Sequence, residues 1–376
     1  MAIPTDFRLI SYLSQWERLV RYPLSSSYPE SISVNQLLAL GSEQQRAEFG
    51  ALLFDYPPLR GGPELLTAIS AGYEHVDADG VISFAGADEA IYATLHALLD
   101  SDDHAVVLTP NYQSLETVAL SRCAVSGVAL DPERNWALDL DRLYAALRPN
   151  TRALVINFPH NPTGAQLRRD ELDAVVTLCR QRGIWLLSDE VYRLTEYQDE
   201  TRLPQVADLY ERGISLNVMS KAYGLPGLRI GWIACRDPWL IQRAQRVKQY
   251  LTICNARPCE WLATLALTHR EPILTGVREL ILANLAALDA VLLRYPAHFD
   301  WQAPSAGLLA FPRYKGAEGA EAFAARLVTE TGVLLVPSSA YRSELNPVPV
   351  DYLRIGFGRA HTQDGLAALD QWLARQ

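Results

Sequence analysis

The chain contains a lysine in a segment rich in turn-forming residues. Lys221 directly follows Ser220 within VMSKAYGLPGLRIGW, residues 218–232, and Arg229 lies eight positions later. Most lysines are exposed to solvent and have no chemical role, and Lys221 considered alone fits that description. A lysine amine can also attack a carbonyl carbon as a covalent nucleophile. This second interpretation requires polar partners elsewhere in the chain.

A second candidate is a carboxylate that follows a continuous apolar run. Asp189 closes the segment IWLLSD, residues 184–189, and Tyr192 lies three positions later. An ionised carboxylate is costly to bury unless a partner compensates its charge. Asp189 therefore predicts a buried cationic partner, and Tyr192 is near enough along the chain to share its site.

Two further polar segments follow predicted strands. Gly86, Ala87 and Asp88 lie between a strand and a helix, where free backbone N–H groups bind phosphate well. The alternative is an ordinary helix cap by Asp88. Asn161 lies in the turn-forming sequence HNPTG, and the histidine beside it is interpreted as structural. Each of these segments alone also has a purely structural explanation.

An arginine interrupts an apolar strand pattern late in the chain. Arg354 lies in YLRIGFG, residues 352–358, between Leu353 and Ile355. It could face solvent, as most arginines do. It could instead present a fixed guanidinium that binds a carboxylate through two hydrogen bonds. The pattern leaves both alternatives open.

The elements that would position these side chains alternate regularly from about residue 50. Short apolar runs, interpreted as strands, are separated by amphipathic stretches with helical spacing. The predicted strands are 81–86, 105–110, 153–159, 184–189, 214–220 and 229–235. Helices are predicted up to about residue 99 and over 168–182. Continuous apolar strands between helices predict an α/β fold with a mostly parallel sheet covered on both faces.

The pattern changes after a long helix predicted over residues 273–294. The chain then has fewer helices, and its predicted strands are 307–314, 332–338 and 352–358. This change is typical of a second, smaller α+β domain. We therefore predict an N-terminal segment, a large domain and a small domain, at residues 1–48, 49–285 and 286–376. A helix with one apolar face over residues 8–21 is expected to pack with the small domain.

Composition limits the class of function. Of 376 residues, 49% are hydrophobic and 20% are charged, as in ordinary globular proteins. The formal net charge of −9 argues against a nucleic-acid partner, since phosphate binding needs a basic surface. No apolar run is long enough for a membrane span, and no signal-peptide core appears. Five scattered cysteines predict reduced thiols and no metal site, so a cytoplasmic enzyme is expected.

Together these side chains supply each contact that pyridoxal 5′-phosphate (PLP) requires. Lys221 can form an imine with its aldehyde, and Asp189 can keep its pyridine nitrogen protonated. Asn161 and Tyr192 can hydrogen-bond its phenolic oxygen. Arg354 can bind the carboxylate of an amino acid. The groups available for the phosphate are Ser220, Arg229 and the segment Gly86, Ala87 and Asp88.

The same residues and spacings resemble the fold-type I PLP enzymes of the aspartate aminotransferase superfamily, the class I/II aminotransferases. In that family an Asn precedes the ring-binding Asp by 28 positions, as Asn161 precedes Asp189. A Tyr follows three positions later, as Tyr192 does, and an Arg follows the Lys by eight. The resemblance extends over nearly the whole chain from about Leu53. It implies a large PLP-binding domain followed by a smaller C-terminal domain.

Three further roles follow only from this resemblance. In PNYQSL, Tyr112 matches the aromatic residue that stacks on the cofactor ring. In YPPLRGGPELLTAI, Tyr56 matches the tyrosine that crosses to the phosphate of the neighbouring subunit. Arg354 and Asn161 match the residues that contact the substrate. The resemblance therefore implies a homodimer with shared active sites.

The chain departs from the family pattern at several positions. Val218 stands three residues before Lys221, where a small or hydroxylated residue that helps hold phosphate is usual. Ser338 and Leu66 replace a common glycine and a common arginine. Residues 24–40, LSSSYPESISVNQLLAL, are more similar to the branch that contains capreomycidine synthase. This second resemblance keeps open arginine or a derivative as the substrate.

The resemblance implies transamination from an L-amino acid to a 2-oxo acid. Lys221 would carry the reaction as nucleophile and general base, and Asp189 and Tyr192 would be the other catalytic residues. The alternative is another PLP-dependent outcome, such as oxidation, cyclisation or elimination in a natural-product pathway. Sequence motifs do not separate these outcomes, because they depend on the substrate pocket and not on the fold.

Overall fold

The computed structural model describes residues 5–376. Over that range the α-helices are α1 (Arg8–Trp16), α2 (Val34–Ala39), α3 (Glu43–Gly50), α4 (Pro63–Ser70), α5 (Ala87–Leu98), α6 (Gln113–Leu120), α7 (Leu140–Ala146), α8 (Arg169–Arg182), α9 (Val206–Leu209), α10 (Pro238–Lys248), α11 (Arg257–Thr268), α12 (Arg270–Leu292), α13 (Gly319–Thr331) and α14 (Thr362–Leu373). The strands are β1 (Val81–Phe84), β2 (His104–Thr109), β3 (Ala124–Ala129), β4 (Thr151–Asn157), β5 (Trp185–Asp189), β6 (Gly213–Val218), β7 (Gly231–Ala234), β8 (Phe299–Asp300), β9 (Leu309–Ala310), β10 (Arg313–Tyr314), β11 (Val336–Pro337) and β12 (Leu353–Gly356).

The first seven strands form one sheet, in the order β1-β7-β6-β5-β4-β2-β3. β7 pairs antiparallel with both of its neighbours, whereas the pairs from β6 to β3 are parallel. The parallel strands place their carboxyl ends along one edge of the sheet. The prediction of an α/β fold with a mostly parallel sheet is therefore confirmed.

The continuous apolar character of the central strands follows from burial of both sheet faces. Leu187 in β5 belongs to the apolar cluster on one face of the sheet, which also contains Ile91 of α5. Its neighbour Leu186 packs on the other face with Leu172 of α8. Because successive strand residues point to opposite faces, a strand with helices on both sides needs apolar residues at consecutive positions.

The C-terminal part of the chain is built from small antiparallel pairings. β12 lies between β11 and β9, and β10 pairs with β8. Leu353 and Ile355 of β12 are buried in a cluster that includes Phe323 of α13 and Leu369 of α14. The separation into domains at residues 48 and 285 stays a prediction.

The N-terminal helices pack against different parts of the molecule. Leu9 of α1 contacts a cluster that contains Val336 and Tyr341. Leu37 of α2 lies in a cluster with Leu65 of α4 and Leu262 of α11. The chain from α1 to α2 therefore passes from the strands around β11 to the helices beside the large sheet.

Several less regular elements differ from the sequence-based expectation. α1 ends at Trp16 and not at residue 21, because the chain turns and pairs Tyr22 with Val333. β3 is not among the predicted strands, since its residues lie half exposed at the sheet edge. α2 and α3 are also additional, and each begins with a Ser-x-x-Gln capping box, at Ser33 and Ser42.

The cysteines and the helices bear on two of the sequence predictions. The cysteines form no disulfide; Cys179 and Cys235 are buried and the other three are partly buried. In residues 5–376 no helix has the combined length and apolar character that crossing a membrane requires.

Candidate active site

Most of the predicted site residues meet at the carboxyl ends of β4, β5 and β6. They surround a cavity of about 200 Å³. The cavity is lined by Tyr28, Ala87, Asp88, Tyr112, Asn157, Asn161, Asp189, Val191, Tyr192, Val218, Ser220, Lys221, Pro226 and Arg229. Nine of the predicted site residues are in this list. Ligands bind at this edge of open α/β sheets.

The amine of Lys221 is held by the chain's N-terminal segment. Its Nζ donates to the backbone oxygen of Ser27 at 3.0 Å and to the Ser27 hydroxyl at 2.9 Å. The same amine lies 5.4 Å from the centre of the Tyr192 ring. Burial, followed by the nearby positive charge of Arg354, lowers the pKa of Lys221 to about 8. Lys221 is therefore closer to its nucleophilic, neutral form than an exposed lysine at neutral pH.

The carboxylate of Asp189 is buried at the end of β5. It accepts a hydrogen bond from the Val191 backbone at 3.2 Å. No arginine or lysine of residues 5–376 forms an ion pair with it, and burial raises its pKa to about 7. The cationic partner predicted for Asp189 is thus not supplied by the chain's own described residues. The site can instead accept a cationic group from a ligand.

Two residues with positive φ, Arg229 and Gly86, form a cradle for an anion beside α5. Arg229 has φ 51° and ψ 47°, and its Nη2 donates to the Ala85 oxygen at 3.3 Å. Gly86 has φ 96°, and a Cβ there would lie 2.4 Å from the Arg229 guanidinium. The positive φ favours glycine here, and any Cβ would displace the Arg229 guanidinium. We call Ala85–Asp88 together with Arg229 the anion cradle, since helix-start amides and a guanidinium both bind phosphate.

Asp88 does not cap α5, so the helix-cap interpretation is wrong. The N-cap is Gly86, and it makes no side-chain capping bond. The Asp88 carboxylate instead accepts from Tyr112 Oη at 3.2 Å and from Ser114 Oγ at 2.5 Å. The hydrogen bond from Tyr112 to this carboxylate restrains the position of the Tyr112 ring. Burial and this carboxylate raise the pKa of Tyr112.

Asn161 connects the cavity to the second part of the chain. Its Oδ1 accepts from Tyr341 Oη at 3.2 Å and from Arg354 Nη1 at 3.4 Å. Its backbone N–H donates to Asn157 Oδ1 at 2.9 Å. Tyr192 donates its hydroxyl to the Ser27 oxygen at 3.1 Å. These contacts fix the two polar side chains that face the centre of the cavity.

Arg354 is buried, with 1% of its surface exposed, so the exposed-arginine alternative is wrong. Its Nη2 donates to the Ser25 oxygen, and its Nη1 contacts the Tyr341 hydroxyl. Its Nε is buried without a partner, and no carboxylate of residues 5–376 pairs with the guanidinium. A buried, unneutralised guanidinium is a strong site for a carboxylate ligand.

Tyr56 lies outside this cavity. Its side chain is 87% exposed. It borders a separate cavity of about 540 Å³, together with Arg257 and Trp261. Within its own chain Tyr56 therefore does not line the Lys221 cavity.

Four residues that hold the side chains of the site in place are not among the sequence predictions. Ser25 and Ser27 cover Arg354 and Lys221, Tyr341 contacts Arg354, and Asn157 supports Asn161. The unusual Ser-Ser-Ser sequence at residues 25–27 marks this segment, but no local pattern shows which side chains it would meet. The contacts of Ser25 and Ser27 join positions 329 and 194 apart in sequence.

Comparison with known proteins places the chain among PLP enzymes. A family model described as aminotransferase class I and II matches residues 26–369. Capreomycidine synthase of Streptomyces vinaceus is 31% identical over 336 residues, covering 87% of this chain and 82% of that protein. A PLP-dependent aminotransferase structure from Streptococcus suis has a TM-score of 0.92 and 29% identity, covering 100% and 99% of the two chains. The structure of a PLP-dependent cyclase, OrfR, has a TM-score of 0.87 and 27% identity, covering 100% and 99%.

Proposed function

Because the chain belongs to the class I and II aminotransferases, whose members depend on PLP, we propose that it transfers the amino group of an L-amino acid to a 2-oxo acid. One observation carries the proposal. A partly buried lysine amine with a lowered pKa shares a cavity with a buried carboxylate that has no ion-pair partner, and a buried arginine without a carboxylate contacts Asn161, which lines that cavity. The two uncompensated charges match a protonated ring nitrogen and a substrate carboxylate.

The described residues fit PLP. The anion cradle and Ser220 would hold its phosphate, and Asp189 would accept a hydrogen bond from its ring nitrogen. Asn161 and Tyr192 would contact its phenolic oxygen, and Tyr112 would lie against its ring. When bound, PLP supplies an aldehyde that takes up the amino group and a ring that withdraws electrons from Cα.

Lys221 would move the proton. Its Nζ, made less basic by burial, accepts the proton from Cα of the bound amino acid and later donates it. Ser27 holds this amine through its backbone oxygen and its hydroxyl. The two contacts restrict the direction in which Nζ approaches, so the amine spends less of its time in unproductive orientations.

Arg354 would orient the substrate. Its guanidinium is fixed by Ser25, Tyr341 and Asn161, and it binds the substrate carboxylate in one direction. With the carboxylate fixed, rotation about the bond to Cα is limited. The Cα–H bond is then held toward the Lys221 amine.

A second candidate function uses the same cofactor with a different outcome. Capreomycidine synthase and the OrfR cyclase are named for products other than a simple oxo acid, and both resemble this chain. Oxidation, cyclisation or elimination on an amino acid such as arginine, or a derivative, would use the same residues around Lys221. The requirement for a 2-oxo acid separates the two functions.

The proposed function is tested by adding a panel of L-amino acids to the holoenzyme, with and without a 2-oxo acid. Transamination predicts that an accepted amino acid changes the cofactor spectrum. It also predicts that turnover continues only while a 2-oxo acid is present. Continued turnover of an amino acid without any 2-oxo acid would support the second candidate instead.

Arg354→Ala is expected to weaken amino-acid binding about a hundredfold, because it removes a buried charged contact worth roughly 3 kcal/mol. The absorbance of the bound cofactor should remain, since Lys221 is untouched. Spectral titration with an accepted amino acid measures the change. Arg313→Ala is the matched control, because Arg313 is a half-exposed strand arginine that pairs with Asp351. Equal reactivity of amines that lack a carboxylate in the unmodified enzyme would contradict the assignment.

The working unit is proposed to be a homodimer in which Tyr56 contacts the partner's PLP phosphate. Tyr56 is exposed in one chain, as are Phe54 and Tyr250, at 90% each. Within one chain the phosphate would have Ser220, Arg229 and one helix start, and Val218 offers no hydroxyl. A tyrosine from the partner would add a donor.

Complementation between two inactive variants tests this arrangement. Lys221→Ala and Tyr56→Ala are made in separate chains, and each homodimer should be impaired. Random exchange of subunits should restore about a quarter of the unmodified activity, because half of the dimers are mixed and each mixed dimer has one intact site. Verified exchange with no recovery would show that Tyr56 serves its own subunit.

A further inference from the structure

A second lysine is buried without a salt bridge. The chain has three lysines, and Lys248, the last residue of α10, has no exposed surface. Its Nζ donates to Asn255 Oδ1 at 3.1 Å and lies 5.7 Å from the centre of the Phe84 ring. No ion pair to it occurs among residues 5–376. Burying an ammonium group that makes a single hydrogen bond is costly. This cost indicates that the bond from Lys248 to Asn255 has a specific role.

The bond from Lys248 sets the orientation of the Asn255 amide. An ammonium group is only a donor, so Asn255 must turn its oxygen toward Lys248. Ser83 Oγ lies 2.9 Å from the same oxygen. The amide nitrogen then faces the other way and donates to the Arg229 backbone oxygen at 3.3 Å. Without Lys248 the amide could flip and present its oxygen to that carbonyl.

The backbone that Asn255 holds is the strained part of the anion cradle. Arg229 is in the left-handed region, with φ 51°, where residues with a side chain are uncommon. In this conformation of the chain its guanidinium lies against Gly86. The hydrogen bond from Asn255 to its carbonyl therefore helps to keep the guanidinium in the cradle.

Residues 248–255 also contact the Ala85 end of the anion cradle, through Glu89. The Glu89 carboxylate accepts from the Ala85 backbone N–H and from Thr252, through both the backbone N–H at 3.2 Å and the hydroxyl at 2.6 Å. Residues 248–255 thus join Ala85 and Arg229, the two ends of the anion cradle.

We propose that Lys248 and Asn255 are positioning residues for the cofactor phosphate: Lys248 orients the Asn255 amide, and Asn255 holds Arg229 in its left-handed conformation. Neither residue lines the cavity around Lys221, so they act through Arg229 and not by contact with PLP. The inference rests on the proposed role of Arg229 toward the phosphate.

Cofactor binding to the full chain stripped of PLP tests the inference. Lys248→Met and Asn255→Ala are titrated with PLP and, separately, with pyridoxal, which has the same ring and aldehyde but no phosphate. Each variant should bind PLP about tenfold more weakly and pyridoxal as the unmodified protein does. The double variant should be little worse than Asn255→Ala alone, because both changes act through one contact.

Lys315→Met is the matched control, since Lys315 is exposed and lies far along the chain in the second part of the molecule. It should leave both affinities unchanged. Equal weakening of PLP and pyridoxal by Lys248→Met and Asn255→Ala would indicate a general structural effect and overturn the inference. Unchanged PLP affinity would overturn it as well. Failure of the unmodified protein to bind PLP would instead contradict the proposed function.

Discussion

Lys221→Ala is expected to lower turnover by about 10⁴-fold, the upper end of what a positioned general base contributes. The change removes the amine whose pKa is lowered to about 8 by burial and by the charge of Arg354. The residues of the anion cradle and Asp189 remain, so the variant should still bind PLP, but without the visible absorbance that a covalent link to lysine produces. Steady-state rates and an absorbance spectrum of the purified variant measure both effects.

Lys315→Ala provides the control for this experiment, because it removes an exposed lysine at another position. It should retain the rate and the spectrum of the unmodified enzyme. A Lys221→Ala enzyme with turnover within tenfold of the unmodified enzyme would show that another group acts as nucleophile and base.

Asp189→Asn should lower turnover roughly a hundredfold to a thousandfold, the range found when one preorganised electrostatic contact is removed. Burial is the main cause that raises the pKa of Asp189 to about 7. A bound cationic ring nitrogen would favour the ionised carboxylate, and an uncharged amide offers no such compensation. The ring would then lose its proton and withdraw electrons less strongly. Turnover and the fraction of PLP retained after gel filtration measure the effect.

The Asp189→Asn variant should still fold and retain some PLP. Asn has nearly the same shape as Asp, and its side-chain oxygen can still accept the hydrogen bond from the Val191 backbone. Asp199→Asn is a matched control, because Asp199 is an exposed carboxylate that pairs with Arg278 and Arg202 outside the cavity. Activity of Asp189→Asn close to that of the control would mean that the ring nitrogen is not paired with this residue.

The large sheet could be predicted from the sequence because its strands are buried on both faces. The apolar run at residues 184–187, which leads into β5, is typical of a strand buried on both faces. The helix at Arg169–Arg182 is bounded within one residue of its predicted range. β3 could not be found in the same way. Its half-exposed edge position removes the need for a continuous apolar run.

The candidate site could be predicted wherever function requires an unusual residue inside a regular pattern. Asp189 and Arg354 are charges within apolar strands, and the structure buries both. Ser27 and Tyr341 could not be predicted, because their partners lie 194 and 13 positions away and the contacts depend on how the two parts of the chain meet. The interpretation of Asp88 as a helix cap failed for a similar reason, since Ser114 and Tyr112 attract its carboxylate from another helix and its preceding loop.

Reduction of the holoenzyme with borohydride, followed by peptide mapping, tests the central assignment most directly. Borohydride fixes the cofactor to the amine that it links to, and only Lys221, Lys248 and Lys315 are available as lysines. We expect the label on the peptide that contains Lys221, and the peptides of the other two lysines should stay unlabelled. Label on Lys248 or Lys315, or no label on a protein that retains PLP, would contradict it.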